Sequence, residues 1–70
     1  MDKASMMEMS LFKNVKVKTT DGETYAGKVK VFESAYDNDR DECSICLLTG
    51  NDYGICLMES EIREIEIIEL

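Results

Sequence analysis

The stretch at residues 15–31, VKVKTTDGETYAGKVKV, decides the fold of this chain. Apolar and polar residues alternate on both sides of a turn at residues 20–23. This alternation indicates half-buried strands, because successive side chains of a strand point to opposite faces. Within the turn, Asp21-Gly22 favours a tight reversal, since glycine adopts a positive φ at little cost. The sequence therefore predicts an antiparallel β-hairpin.

Outward from the hairpin, the pattern predicts one short helix and five strands in a single domain. The helix is expected over about residues 5–12, where Ser5-Met6-Met7-Glu8 fits a capping box. The last segment alternates Ile with Glu and is rich in β-branched residues, which favours a strand over the competing amphipathic helix. The five strands are expected at about residues 15–19, 24–32, 43–49, 53–58 and 62–69.

Three local features refine this layout. Gly27 lies inside the second strand, where a glycine often marks a bend or a close backbone approach. Val31 and Phe32 are adjacent and both apolar, so a bulge or sharp bend is expected there that lets both side chains face the core. Residues 59–61 are polar and predict a tight turn or a single helical turn.

The charge balance argues against broad nucleic-acid binding. The 70 residues include 15 acidic and 8 basic ones and no histidine, for a formal charge of −7. Phosphate backbones are bound mainly by Lys and Arg, so an acidic chain is a poor general binder. Five lysines lie on or beside the hairpin and form either a local basic patch or, as we favour, the solvated face of a half-exposed sheet: Lys13, Lys16, Lys18, Lys28 and Lys30.

The three cysteines are expected to be free thiols. An odd count with no apolar leader segment is typical of a cytosolic protein, and no apolar run reaches the ~20 residues of a membrane span. Cys43, Cys46 and Cys56 offer too few ligands for zinc, which usually takes four. We therefore expect buried, unreactive thiols.

No cofactor, metal site or catalytic centre is expected. The acidic loop at residues 37–42 has carboxylates at alternate positions, which suits Ca²⁺ or Mg²⁺, but it lacks the glycine and final glutamate of a calcium loop. A solvated loop is the better interpretation. The chain has no histidine for base catalysis and no nucleophile with a recognisable partner, so an enzyme is not expected.

Two segments resemble the two motifs of the Sm-like (LSm) family. The first runs from Val15 to Asp37, through Asp21-Gly22, the Gly27 strand and Tyr36, and the second covers residues 55–65. Order and spacing agree in both, over nearly the whole chain. The resemblance implies a mainly β fold, a strongly bent, five-stranded antiparallel SH3-like barrel with a short N-terminal helix. It also implies a cyclic homo-oligomer associated with RNA or a ribonucleoprotein.

The resemblance also implies an RNA pocket, at which this chain departs from the family. RNA-binding members contact a base through an Asn and through the Arg of an Arg-Gly pair. Here Asp37 takes the first place, with Asn38 beside it, and Met58-Glu59 takes the second. Tyr36 keeps an aromatic ring that can stack on a base, or that packs against its own loop. The site that the resemblance implies thus comprises Tyr36, Asp37, Asn38, Met58 and Glu59.

Assembly is expected at the last two strands. In Sm-like proteins, strand four of one subunit pairs with strand five of the next. Strand four of this chain is nearly all apolar, as is typical of a strand covered on both faces. The alternative to an RNA-associated ring is an oligomeric scaffold that binds a protein partner and no nucleic acid. The interface residues expected in either case are Tyr53, Ile55, Leu57, Ile65, Ile67 and Ile68.

Overall fold

One α-helix precedes five β-strands in the structure, a computed structural model that describes residues 2–36, 38, 41–50 and 54–68. The predicted sequence of elements is confirmed, including the strand rather than the helix in the last segment and a helical turn before it. The elements in chain order are α1 (Lys3–Met9), β1 (Asn14–Thr19), β2 (Thr24–Glu33), β3 (Ser44–Leu48), β4 (Gly54–Met58), a single 3-10 turn (Glu59–Glu61) and β5 (Ile62–Ile68).

All described strands belong to one antiparallel sheet with the order β4-β3-β2-β1-β5. The sheet is open, and β4 and β5 are its two edges. It is also curved, as shown by a cavity of about 250 Å³ that is lined by Tyr25 of β2, by Ile55 and Leu57 of β4 and by the β1–β2 turn. The curvature brings strand β4 close to the β1–β2 hairpin.

The β1–β2 turn forms as the sequence predicts. The Gly22 N–H donates to the Thr19 carbonyl over 3.1 Å, and the Thr19 N–H donates to the Glu23 carbonyl over 2.9 Å. Gly22 has a φ of +93°, which a residue with a side chain would rarely adopt. The Thr19 hydroxyl donates to the Asp21 carboxylate, and this bond and the Glu23 N–H hold the pKa of Asp21 below its usual range.

Gly27 marks a close backbone approach, as predicted. A Cβ at this position would lie 2.0 Å from the Leu48 carbonyl oxygen and 2.7 Å from its carbon. Both atoms belong to the backbone, which cannot rotate out of the way as a side chain can. The end of β3 therefore contacts the β2 backbone directly at Gly27, where only glycine fits.

The bulge predicted near Val31 is present, but it lies one residue earlier. Val29 pairs with Leu47 and Val31 pairs with Cys46, so Lys30 is an extra residue in β2. One extra residue reverses the face of every side chain that follows. Phe32 consequently packs against the core, whereas Val31 is 42% exposed. The expectation that both residues face the core is wrong for Val31.

The helix begins and ends earlier than the predicted residues 5–12. Asp2 is its N-cap, and its carboxylate accepts the Ser5 N–H over 2.7 Å. This bond lowers the pKa of Asp2. Ser5 is therefore a first-turn residue rather than the cap of a capping box. After Met9 the backbone leaves the helix and reaches a left-handed φ of 66° at Phe12, which turns the chain into β1.

Helix α1 covers one end of the curved sheet. Met7 is fully buried, and the Lys3 ammonium donates to the Ile62 carbonyl over 2.7 Å at the start of β5. A methionine suits this position because its flexible side chain fills irregular gaps. The core that it completes consists of Met7, Val15, Val17, Val29, Cys43, Ile45, Leu47, Leu57 and Ile62.

Candidate functional site

Tyr36 lies on the loop between β2 and β3 with its side chain 100% exposed. Packing of the ring against its own loop, which was one of the two expectations, is therefore wrong. Tyr36 lines an open surface cavity of about 300 Å³ with Ala35, Asn38 and Asp41. The ring is thus free to stack on a planar group of a ligand. Asp37, the predicted neighbour in the site, lies outside the described residues.

The Asn38 side chain forms hydrogen bonds across the loop between β2 and β3. Its side-chain nitrogen lies 2.8 Å from the Glu42 carbonyl, 3.2 Å from the Ser44 hydroxyl and 3.4 Å from the Glu33 carbonyl. An amide group has only two N–H donors, and these three acceptors engage both of them. The Asn38 donors are therefore directed at the loop rather than at a ligand.

Met58 and Glu59 lie near Asn38, because both contact residues at the start of β3 from strand β4 and the turn after it. Met58 pairs with Ser44, the residue whose hydroxyl contacts the Asn38 amide. The Glu59 N–H donates to the Cys43 carbonyl over 2.9 Å. The fold thus brings Asn38, Met58 and Glu59 together around the start of β3. Their backbone and side-chain bonds hold this corner of the fold in place.

The corner is acidic. The Glu59 carboxylate lies 3.6 Å from the Cys43 sulfur, and the Glu42 carboxylate accepts the Ser60 N–H over 2.7 Å. Burial raises the pKa of the Cys43 thiol, and the charge of Glu59 raises it further. Since phosphate is an anion, carboxylates here oppose its binding. Cys43 itself is a buried thiol, as predicted.

The hairpin lysines are exposed, as expected of a solvated sheet face. The strand register adds a feature that the sequence did not reveal. Lys16 is directly opposite Glu66 and Lys18 is directly opposite Glu64, across β1 and β5. Opposite charges at directly paired positions offset each other. The lysines of β1 therefore do not form a purely basic surface for a phosphate backbone.

The predicted interface residues lie on the two edge strands. Leu57 in β4 is 5% exposed, and Ile55 beside it is half-buried. Ile65, Ile67 and Ile68 in β5 are also half-buried. Each edge therefore carries apolar side chains that the chain itself covers only in part. Tyr53 lies outside the described residues.

Two of the cysteines differ from the prediction of free, buried thiols. Cys46 and Cys56 are direct partners across β3 and β4 and form a disulfide, with their Cα atoms 4.0 Å apart. Cys56 is exposed and Cys46 is half-buried. The prediction is wrong because it rested on the number of cysteines, whereas the register between β3 and β4 decides which of them meet. The sequence signal was the turn-type composition of Gly50-Asn51-Asp52 between two apolar runs, since a reversal there would place 46 opposite 56.

No group of His, Cys, Asp or Glu side chains suited to a metal ion occurs within residues 2–36, 38, 41–50 and 54–68. Asp37, Asp39 and Arg40 of the acidic loop are outside those ranges. Over the same part of the chain, no helix has the length and apolar character that a bilayer crossing requires.

Comparisons with protein-family models, curated proteins and solved structures gave no significant match for this chain. The Sm-like resemblance therefore depends on the residues of the two motifs and on the strand layout alone.

Proposed function

We propose that the chain is an Sm-like ring-forming protein, which assembles head-to-tail through its two sheet edges and acts as a scaffold for a protein partner. The observation that carries this proposal is the strand order, which puts β4 and β5 at opposite ends of one curved sheet. These are the two strands through which the family resemblance implies assembly.

Edge strands favour pairing with another chain because their outward N–H and C=O groups lack a ladder partner. Strand β4 has the sequence GICLM and carries no charged residue that would oppose such pairing. The half-buried isoleucines of β5 provide apolar surface that a neighbour would cover. Pairing of two different edges is heterologous, and it closes into a ring when the rotation between subunits allows.

A protein partner fits the surface chemistry better than RNA does. The corner formed by residues 58–59 and 42–43 is acidic, and the Asn38 donors are directed at their own loop. Lysines of β1 are matched by glutamates of β5. Basic groups are what a phosphate backbone requires, and two of the five hairpin lysines, Lys16 and Lys18, are offset in this way.

Light scattering at micromolar concentration tests the assembly. We expect a mass that is a multiple of the 8.0 kDa subunit. Ile68→Lys introduces a charge at the β5 edge and should shift the mass to that of a monomer. Val31→Lys is the matched control, because Val31 is an exposed apolar residue on the interior strand β2. A wild-type mass of 8.0 kDa would overturn the ring.

RNA binding is the second candidate, and the full exposure of Tyr36 is the observation that favours it. Stacking of a base on an aromatic ring contributes ~1–3 kcal/mol. Tyr36→Ala should then weaken RNA binding about tenfold, measured by gel shift with uridine-rich and adenine-rich RNA. Phe12→Ala is the control, because Phe12 is an exposed aromatic residue on another loop, at 64%. Absence of a shift with either RNA excludes this candidate.

A gain-of-binding variant tests the same pocket by an increase in affinity rather than a loss. Met58→Arg combined with Glu59→Gly restores the Arg-Gly pair of the second Sm motif. Arginine supplies a planar fork of donors that a thioether and a carboxylate lack. If the pocket geometry is that of the family, this variant should bind uridine-rich RNA more tightly than the wild type does in the same gel-shift assay.

A further inference from the structure

We propose that Cys46 and Cys56 form a reversible thiol–disulfide site, whose oxidation state determines how firmly strand β4 is held on the sheet. The two residues are direct partners in the β3–β4 ladder, and their sulfur atoms are bonded. This proposal concerns the folded subunit and does not depend on ring assembly or on any ligand at Tyr36.

The disulfide is on the outer face of the sheet, where a reagent can reach it. Ile45, Leu47 and Leu57 point into the core, so the residues that alternate with them point outwards. Cys56 is exposed and Cys46 is half-buried. Thiol–disulfide exchange requires a thiolate to reach one of the two sulfurs, and the exposure of Cys56 favours such an approach in the folded chain.

The strand ladder keeps the two cysteines together in either oxidation state. Ile45 pairs with Leu57 on one side of the disulfide, and Leu47 pairs with Ile55 on the other. These pairs do not involve the sulfurs, so they still form in the reduced chain even though β4 opens from the sheet more often. Reoxidation is therefore intramolecular between groups already in position, which favours it strongly over pairing with a second chain.

A low-molecular-weight thiol of the glutathione class is the reductant in this exchange. Its thiolate attacks the Cys56 sulfur, and the Cys46 sulfur leaves as a thiolate that takes up a proton. A second thiolate attacks the reagent's own sulfur in the mixed disulfide and releases Cys56 as a thiol. Two reagent thiols are thus oxidised to one disulfide while the protein disulfide is reduced to two thiols. Oxidation of the protein is the reverse reaction.

Strand β4 is the element that this bond affects most. It is an edge strand that pairs only with β3 in the described sheet, and Leu57 is its only buried residue. Strands with few buried contacts open locally more often than the core does. The disulfide joins residues 10 apart and closes the hairpin covalently, which restricts the opened states. Reduction therefore loosens β4 while the core strands stay paired.

Cys43 provides an internal reference for the same chemistry. It is 5% exposed, and its sulfur lies 3.7 Å from the Met7 sulfur inside the core. Burial and the charge of Glu59 raise the pKa of this thiol, which disfavours the reactive thiolate. Cys43 thus stays a thiol while Cys46 and Cys56 exchange.

The test uses the full chain, equilibrated in glutathione buffers of increasing oxidised-to-reduced ratio. Acid quenching, denaturation and maleimide labelling then count thiols by mass spectrometry. We expect a transition between forms with three thiols and one thiol, with unchanged far-UV circular dichroism. Hydrogen exchange of the β4 amides should be at least tenfold faster in the reduced form. A chain that stays in one form at all ratios, or equal exchange rates in both forms, overturns the proposal.

Two variants assign the transition to the correct cysteines. Cys43→Ala should retain it, and its loss in this variant would overturn the assignment. The double variant Cys46→Ala, Cys56→Ala should show no transition, and its β4 amides should exchange at the rate of the reduced wild type in every buffer. If the double variant does not fold, the exchange rates of the two wild-type forms still decide the matter.

Discussion

Gly27 shows how a single position constrains the whole sheet. The Leu48 carbonyl oxygen occupies the place of a Cβ at this residue. Gly27→Ala must therefore push β2 and β3 apart, and overpacking of a rigid backbone contact is expected to cost at least ~2–3 kcal/mol of unfolding free energy. Urea denaturation, followed by circular dichroism, measures this loss.

Gly50→Ala is the matched control for that substitution. Nothing lies within 4 Å of a Cβ built at Gly50, and its backbone is outside the left-handed region. Replacement of glycine at a compatible site changes stability by less than ~1 kcal/mol, usually upwards. Equal losses in the two variants would show that glycine content, and not the contact with Leu48, sets the stability.

At the same scale, the sequence predicted the glycines well and the cysteines poorly. The requirement at Gly22 and Gly27 follows from local backbone rules, which apply to any strand and turn. The Cys46–Cys56 bond depends on the register of a hairpin, and register is a relation between two strands. Asn38 was expected beside a ligand, but its amide is engaged by the loop that surrounds it. Such engagement depends on loop geometry that residue types do not specify.

Helix α1 is an element whose packing, rather than its own propensity, makes it stable. Seven residues are too few for a stable isolated helix. Met7 is fully buried, whereas Met9, two positions later, is 47% exposed. Met7→Ala should therefore lower the unfolding free energy by ~2–4 kcal/mol through the cavity it leaves. Met9→Ala should stay within ~0.5 kcal/mol, and thermal melts of both variants make the comparison.

The cap of the same helix makes part of the stability depend on pH. The Ser5 N–H lowers the pKa of Asp2 below its ordinary value of 3.8. A carboxyl whose pKa is lower in the folded state stabilises fully above its unfolded pKa and loses this effect as pH falls through the folded pKa. Asp2→Ala should thus lower the melting temperature at neutral pH, and the difference from wild type should shrink below about pH 3.8.

Asp2→Asn separates the cap from its charge. The side-chain oxygen of the introduced asparagine still accepts the Ser5 N–H, but the asparagine side chain does not titrate. Thermal melts of this variant should show a smaller loss at neutral pH than those of Asp2→Ala. A difference between Asp2→Ala and wild type that stays constant down to pH 2 would exclude a role for the Asp2 charge.

The elements were predicted more reliably than their ends. The period-two pattern specified the two hairpin strands and the last strand, because burial on one face of a sheet leaves a direct trace in the sequence, whereas the third and fourth strands were predicted from short apolar runs between polar segments. The helix start was misplaced because Asp2 and Ser5 are both good caps, and the choice between them depends on where the helix must lie to bury Met7. The bulge at Lys30 shifted by one residue for a similar reason, since both positions let Phe32 reach the core.

At the scale of the whole molecule, the net charge leads to opposite expected effects of salt on ring assembly and on RNA binding. Each subunit carries a formal charge of −7, so subunits repel one another at low ionic strength. Strand β4 has no charged residue, and its pairing gains nothing from ionic contacts. Salt screens the repulsion, and ring assembly should therefore strengthen as salt rises from about 20 mM to 500 mM. RNA binding must weaken over the same range, because salt opposes contacts to phosphate.

Light scattering and gel shifts across one salt series make this comparison. Glu8→Gln with Glu23→Gln removes two negative charges at exposed positions that are not part of either edge strand. This variant should assemble at lower salt than the wild type and show a weaker salt dependence. Assembly that weakens with salt would instead indicate ionic contacts between subunits, and the strand edges would then not be the interface. Assembly that strengthens with salt, without any RNA shift, is the result that the scaffold hypothesis requires.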